Sequence, residues 1–513
     1  MRPVRRLSAA LLLALAAAPA PAQPIATSPR PDAVAVTVYR APARGPGEKM
    51  NLRWLNGFAL ISETRTIAIP AGESALRFEG VAGGILPESA IVTGLPGGVI
   101  EKNQDAYLLS PASLLDASLG RRVHIRRTSP ATGAVTETEA VIRSGAAGGV
   151  VLDTPAGVEA LRCSGLRETP IYEGVPEGLT ARPTLSVRVR SAAAATATVT
   201  LSYLAGGFDW QADYVAELSP DGRRMDLFAW LTLANGDETS FPDADTQAVA
   251  GRLNRQEAPR NAPERAPLQL QCWPQGTTTS DLEEIEIGSY PPPPPPPAPP
   301  PPPMLMPEGE NIVVTGSRVA RQEELGDLKL YRIPEPVTVA ARSQKQVALL
   351  QRTGIPIEII YRRRIHSEGA AGATPVVTTR NREADRLGLA LPAGGIAFFE
   401  RVGSRRVMVG QGHTRDLAVG EEVEIEMGNS FAVTTEVVRQ TELADGGGEY
   451  VLTVANARSD AIKFEAELET SDRPVTYSSA KLASRDGRPL WAISIPANGR
   501  ATLRYRLEAS SRR

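Results

Sequence analysis

Apolar and polar side chains alternate with a period of two along most of this chain, and no other feature constrains its fold as strongly. In Leu185-Ser186-Val187-Arg188-Val189-Arg190 and in Ala197-Thr198-Val199-Thr200-Leu201-Ser202-Tyr203 every second residue is suited to a core. A β-strand turns successive side chains to opposite faces, so each run predicts a strand with one buried and one wet face. The same pattern marks Val423–Met427, Ile462–Leu468 and Leu503–Leu507. Turn chemistry separates these runs at Pro70-Ala71-Gly72, Gly83-Gly84, Gly97-Gly98, Gly206-Gly207, Gly446-Gly447-Gly448 and Pro496-Ala497-Asn498-Gly499. Outside the N-terminal leader, helical spacing is confined to a short stretch near Ser110–Leu119. The expected fold is mostly β, a multi-domain arrangement of antiparallel β-sandwiches. A membrane β-barrel also alternates, but it needs aromatic girdles and an apolar outer band. Only 5% of residues are aromatic, and the polar faces carry Glu, Lys and Arg.

The first residues are Met1-Arg2-Pro3-Val4-Arg5-Arg6, followed by the apolar run Leu7–Ala18 and then Ala20-Pro21-Ala22-Gln23. A basic start, an apolar stretch too short to span a bilayer and small residues at Ala20 and Ala22 predict a signal peptide over residues 1–22, cleaved after Ala22. The expected location is periplasmic or secreted from a bacterium, with no transmembrane segment after the signal is removed. Export places Cys163 and Cys272 in an oxidising compartment, so a disulfide between them is expected. It would stabilise by about 4 to 5 kcal/mol in the chain-entropy model. Two buried free thiols are the alternative.

The expected domains are an N-terminal β domain over residues 31–183, a β domain over 184–419 and a sandwich-like C-terminal domain over 420–513. The middle domain is interrupted at 255–326, where Pro, Gln, Thr and Glu dominate and too little apolar surface exists to order the chain. This insertion holds the acidic stretch Asp281–Glu286 and the proline run Pro291–Pro303, 13 residues with one Ala. As polyproline II the run extends about 40 Å, the reach of a stiff spacer. Next comes Asn311-Ile312-Val313-Val314-Thr315-Gly316-Ser317-Arg318. Ile312, Val313, Val314 and Thr315 either rejoin this protein's own sheet or add as a strand to a partner's edge. The segment resembles the region near the mature N-terminus of TonB-dependent outer-membrane receptors.

The search for chemistry yields little. His124, His366 and His413 are far apart and have no zinc spacing. No nucleophile elbow, phosphate loop or paired-histidine metal motif occurs, and no catalytic residue or cofactor is assigned. The acidic group Asn235, Asp237, Glu238, Asp243 and Asp245 has oxygen ligands suited to calcium, although not with EF-hand spacing; a solvated turn is the other reading. Arg362-Arg363-Arg364 reads as a solvated strand end. The 56 Lys and Arg against 58 Asp and Glu leave no field to hold a polyanion, so nucleic acid is not an expected partner.

The order of Tyr203, Trp210, Tyr214 and Asn235-Gly236-Asp237-Glu238 resembles the domain-of-unknown-function 4139 family, often labelled mucoidy-inhibitor-like. So do Ile333–Thr338, Gln346–Leu350, Leu391-Pro392-Ala393-Gly394, Val419-Gly420-Glu421-Glu422, Val454-Ala455-Asn456 and Trp491–Pro496. The part with Ile69-Pro70-Ala71-Gly72, Phe78–Val81 and Pro87–Ala90 resembles the small β domain that commonly precedes this family's domain. Two departures stand out: the long coiled coil usual between the two parts is absent, and Phe241 stands where a Trp is expected after the Asn-Gly-Asp-Glu turn. The resemblance implies an exported, β-rich protein and brings no activity with it.

Trp210 and Tyr214 are four residues apart and so share one strand face, where they serve either as core anchors or as a sugar-stacking platform. Three functions follow as expectations. The first is non-enzymatic binding or scaffolding in the cell envelope, with envelope proteins or glycans as partners. The second is a carbohydrate-active enzyme that uses loop carboxylates in a pocket with convergent aromatics. The third is an accessory module of TonB-dependent transport.

Overall fold

A computed structural model describes residues 24–508 of the protein, apart from 46, 106–108, 130–131, 145–149, 161–166, 177–178, 252–318, 327, 444–446 and 471–472. The fold is mostly β, about 63% strand and 3% helix, arranged in several sheets. The predicted strands are present: Thr184–Ser191, Ala195–Leu218, Glu422–Glu426, Ile462–Leu468 and Arg500–Leu507. Near Ser110 one helical turn forms, Pro111–Asp116. The Ser110 hydroxyl accepts from the Ser113 amide at 3.1 Å, and Leu115 is buried.

A twelve-stranded sheet is built around the 24-residue strand Ala195–Leu218. Its first half pairs antiparallel with Gly57–Ile69, and its second half with Arg224–Asn235. Gly206-Gly207, expected to be a turn, instead forms a β-bulge within this strand: the register with Gly57–Ile69 shifts between Gly206 and Phe208, and Gly207 has φ +84°. Glycine reaches that angle without steric cost, so the strand bends and continues. Past the bend Gly57–Ile69 has ended, and Gly394–Val402 takes over the vacated edge in parallel pairing, followed by Arg405–Thr414. The sheet is mixed rather than purely antiparallel, because long excursions of chain return strands in the same direction.

Pro70-Ala71-Gly72 does not close a hairpin either. It carries the chain from Gly57–Ile69 in the large sheet to Gly72–Glu79 in a four-stranded sheet packed against it. Pro496–Gly499 does the same at the other end, joining Arg488–Ile495 of a six-stranded sheet to Arg500–Leu507 of a five-stranded one. Both segments, expected as turns, are thus sheet-crossing corners. A satellite five-stranded sheet has its own small core around Val123, Ile125, Ile142 and Leu152.

Hydrogen bonding crosses the boundaries expected at 184 and 420. Thr184–Ser191 pairs with Gly72–Glu79, and Ala195–Leu218 with Gly57–Ile69. The C-terminal sandwich already recruits Glu358–Ile365 and Thr374–Arg380, and its core holds Tyr361, Phe464, Trp491 and Tyr505. Between these strands and Glu422–Glu426 the chain makes an excursion back to the large sheet. The buried Asn381 side chain pins both ends of it, donating to the carbonyls of Leu389 and Ala418 at 2.6 and 2.9 Å.

Candidate ligand-binding face

The two faces of Ala195–Leu218 have opposite fates after the bulge. Phe208, Trp210, Ala212, Tyr214 and Ala216 point into the main core. Trp210 is fully buried and its indole N–H donates to Val249 O at 2.9 Å; the Tyr214 hydroxyl donates to Pro392 O at 2.7 Å. Both rings are therefore core anchors with their polar atoms satisfied, and the sugar-platform reading of these two residues is set aside.

Asp209, Gln211, Asp213, Val215 and Glu217 alternate with them on the reverse face. Pairing with Arg224–Asn235 puts Phe228 opposite Val215, Trp230 opposite Asp213 and Asp226 opposite Glu217. Pairing with Gly394–Val402 adds Ala397 beside Val215 and Phe399 beside Glu217. Phe228 and Trp230 meet edge to face, with centroids 4.7 Å apart. None of Phe228, Trp230 and Phe399 belongs to a core cluster, although Phe228 is buried and the other two are half-buried. Phe228 and Phe399 line a cavity of about 360 Å³ together with Glu217, Asp226, Gln351 and Arg352.

The charges of this cavity are held in place. Glu217 Oε1 accepts from Arg401 Nε at 3.1 Å, and Oε2 accepts from Arg406 Nε at 2.7 Å. Burial alone would raise the Glu217 pKa, but the two guanidiniums prevail and hold it below the usual carboxylate range. Asp226 Oδ1 accepts from the Gly354 amide at 2.7 Å. A concave pocket with two carboxylates and convergent aromatics is thus present, but Glu217 is fixed as an ionised, doubly bonded base.

A second cavity, of about 190 Å³, lies further along the same strands and includes Gln211, Asp213, Gly395, Gln411 and His413. It sits at the gap where Gly57–Ile69 leaves the edge and Gly394–Val402 joins it. Backbone groups orphaned in that gap are capped by side chains: the Trp210 amide donates to Asp209 Oδ1 at 2.8 Å, and Arg44 donates to the Trp210 carbonyl. Arg44 also pairs with Asp209 at 3.1 Å, and burial lowers its pKa. Across three strands Gln346 donates to Thr232 at 3.1 Å, and Thr232 donates to Asp213 at 2.7 Å.

In the acidic group read as a calcium site or a solvated turn, Asn235 and Asp237 are buried and structural. Asp237 Oδ1 accepts from the Gly83 and Thr239 amides at 3.0 and 2.8 Å, and Oδ2 from the Gly84 amide at 2.7 Å. Asn235 Oδ1 accepts from the Asp237 amide at 2.8 Å. The Asn-Gly-Asp-Glu turn therefore clasps the Gly83-Gly84 loop. Glu238 and Asp243 line a larger cleft of about 820 Å³ with Arg30, Asp32 and Arg182, while Asp245 is 3.4 Å from Arg332. Among the described residues no group of three or more His, Cys, Asp or Glu is placed to hold a metal ion.

Arg362 is not a solvated strand end, whereas Arg364, 52% exposed beside the last residue of its strand, is one. Arg362, with a side chain only 14% exposed, pairs with Glu424 and Glu465 at 3.0 and 2.9 Å, and Arg364 pairs with Glu467 at 3.4 Å. Arg485 joins the same cluster through Glu424 at 2.6 Å. His124, His366 and His413 are exposed and lie on separate segments. Cys163, Cys272, the signal residues 1–22 and Ile312, Val313, Val314 and Thr315 lie outside the described residues. Among those described, no helix is long and apolar enough to cross a membrane.

The sequence reading missed Phe228, Trp230 and Phe399. The run Met225–Leu233 is nearly all apolar and hides which face is which. One signal was available: Phe228 and Trp230 are two apart, out of phase with Leu227, Leu231 and Leu233, and so belong to the face opposite the core. No protein-family model matches the chain, and no curated protein does.

Proposed function

We propose that the chain is an exported protein of the bacterial cell envelope with a non-catalytic role, binding or scaffolding other envelope components. The leader, with its basic start, short apolar run and small residues before Gln23, supports export. The resemblance to the domain-of-unknown-function 4139 family supports the same location. One observation carries the binding reading: on the reverse face of the large sheet Trp230 and Phe399 are half-buried outside every core cluster, and Phe399 lines an open cavity whose wall includes the buried Phe228. Large apolar rings left at a cavity mark a surface that gains by being covered.

A second reading, an enzyme on envelope polysaccharide, is favoured by the placement of Glu217 directly opposite Asp226 in that cavity. Glycoside hydrolysis needs one carboxyl kept protonated to act as the acid. Glu217 has the opposite bias, and one Asp226 oxygen is engaged by a backbone amide. Binding is therefore preferred over catalysis. Chemical crosslinking of the full chain in intact cells, followed by mass spectrometry, tests the proposal. Signal-cleaved protein joined to envelope components is expected; uncleaved protein in the cytosol with no envelope adducts would overturn it.

A further inference from the structure

The same face has a chemistry specific enough to name a ligand class. We propose that it binds an uncharged oligosaccharide, with sugar rings stacked on the half-buried Phe399 and Trp230 and hydroxyl groups hydrogen-bonded to Gln351, Gln411 and the Glu217–Arg401–Arg406 group. This rests on the reading of the protein as an envelope binding module and identifies what that module holds.

Each part of the face fits a sugar better than it fits another protein or an ion. A saccharide ring has an apolar C–H face and an equator of hydroxyls, so its complement is an aromatic surface rimmed by groups that donate and accept together. The rings stand in the middle of the sheet face, with small or slender residues between them at Val215, Ala397 and Gly395. Such residues leave room above the sheet instead of filling it. Amides rim the rings: Gln351 is the direct strand partner of Phe228, Gln346 that of Thr232, and Gln411 that of Ala397. An amide side chain donates and accepts side by side, as a pair of vicinal hydroxyls requires.

Charge points to a neutral ligand. Arg401 and Arg406 are already neutralised in part by Glu217, at 3.0 and 2.7 Å, and the lining also holds both Asp226 and Arg352. A uronate or phosphate would have to compete with Glu217 for its guanidiniums. Hydroxyls instead use the remaining N–H and lone-pair positions of ion pairs that are held rigidly. Size agrees as well: at about 360 Å³ the cavity falls within the roughly 300–1,000 Å³ common to small-ligand sites. The second cavity begins at Asp213, two residues from Val215, and at Gly395, four residues from Phe399. A linear chain lying along Ala195–Leu218 reaches both.

The test is an array of β-linked gluco-, chito- and xylo-oligosaccharides, with oligogalacturonate as the charged comparison, probed with the full-length secreted protein. Hits are titrated by calorimetry at low and high salt. Retention of a neutral oligosaccharide is expected, with affinity insensitive to salt. Phe399→Ala should weaken it about tenfold or more through loss of one stacking ring. Arg406→Ala, at an exposed position where misfolding is not a concern, should also weaken it. Phe431→Ala, at a ring 97% exposed in the C-terminal sandwich, should change nothing. The inference is overturned if no neutral oligosaccharide is retained, if only oligogalacturonate binds and salt abolishes it, or if the Phe399 and Arg406 variants bind like the parent. A protein that crosslinks to envelope proteins in cells yet holds no sugar would keep the binding-module reading and end this one.

Discussion

Glu63 and Arg65, two residues apart on one face of Gly57–Ile69, form an ion pair in which neither side chain reaches solvent, with Arg65 Nη2 2.6 Å from Glu63 Oε2. The pair is fully engaged. Tyr203 donates to Glu63 Oε1 at 2.6 Å, and Arg65 donates to the carbonyls of Ser28 and Glu79 at 2.9 and 2.8 Å. The guanidinium also lies over the Phe78 ring, 5.7 Å from its centroid. Arg65 thereby ties the strand to the ends of Ile25–Ser28 and Gly72–Glu79, neighbouring strands of the four-stranded sheet. Burial raises the Glu63 pKa against the pull of Arg65 and Tyr203.

Removing one partner should cost more than removing both. Arg65→Met leaves an uncompensated carboxyl in the core and is expected to destabilise by about 3–5 kcal/mol. Adding Glu63→Leu to it should recover a large part of that loss, because no buried charge remains. Urea unfolding of the parent, both single variants and the double variant checks this. Strictly additive losses would show that the two groups do not act as a pair.

Acid should weaken the C-terminal sandwich through Glu424. Burial disfavours its charge, but hydrogen bonds from Arg362 and Arg485 prevail and hold its pKa below the usual carboxylate value. Because the unfolded chain binds this proton more tightly than the folded one, the contribution is present at neutral pH. It is lost as pH falls from about 4.3 through the lower folded value. Melting temperature measured down the acid limb should fall less steeply for Glu424→Gln than for the parent, whose neutral-pH stability should be the higher. Parallel acid limbs would remove Glu424 from the account.

Asp237 is expected to be a structural clasp without a calcium role. Asp237→Ala leaves the Gly83 and Gly84 amides without their acceptor, at about 1–3 kcal/mol for each group left buried and unpaired. A lower melting temperature in the variant, with no response of the parent to added calcium, is the expected result. A calcium-dependent rise in the parent would restore the metal reading.

Much of the fold was legible because strand alternation is a local property. Leu185–Arg190 and Ile462–Leu468 alternate strictly, and both are strands with the inward residues buried. What was not legible is which sheet each strand joins, since pairing depends on residues hundreds of positions away. Gly206-Gly207 and Pro70-Ala71-Gly72 carry the composition of turns, yet one is a bulge and the other a passage between sheets. The Trp210 and Tyr214 rings could be placed in a core because they recur in phase with Ala212 and Ala216. Arg362 was read as solvated because its carboxylate partners, Glu424 and Glu465, come from two distant strands. The reverse face of the large sheet was missed for the same reason: five strands assemble it, and the nearly all-apolar run Met225–Leu233 that supplies two of its rings does not alternate clearly.

The most direct test of a binding role for that face uses a photoreactive methionine analogue at Met408, which is 54% exposed and paired in register with Phe399. The comparison is a photoreactive residue at Tyr477, equally exposed in the C-terminal sandwich. Illumination of intact cells should give discrete adducts with an envelope component from position 408 and far fewer from 477. Equal labelling at both positions, or none at 408 beyond the unilluminated background, would contradict the account.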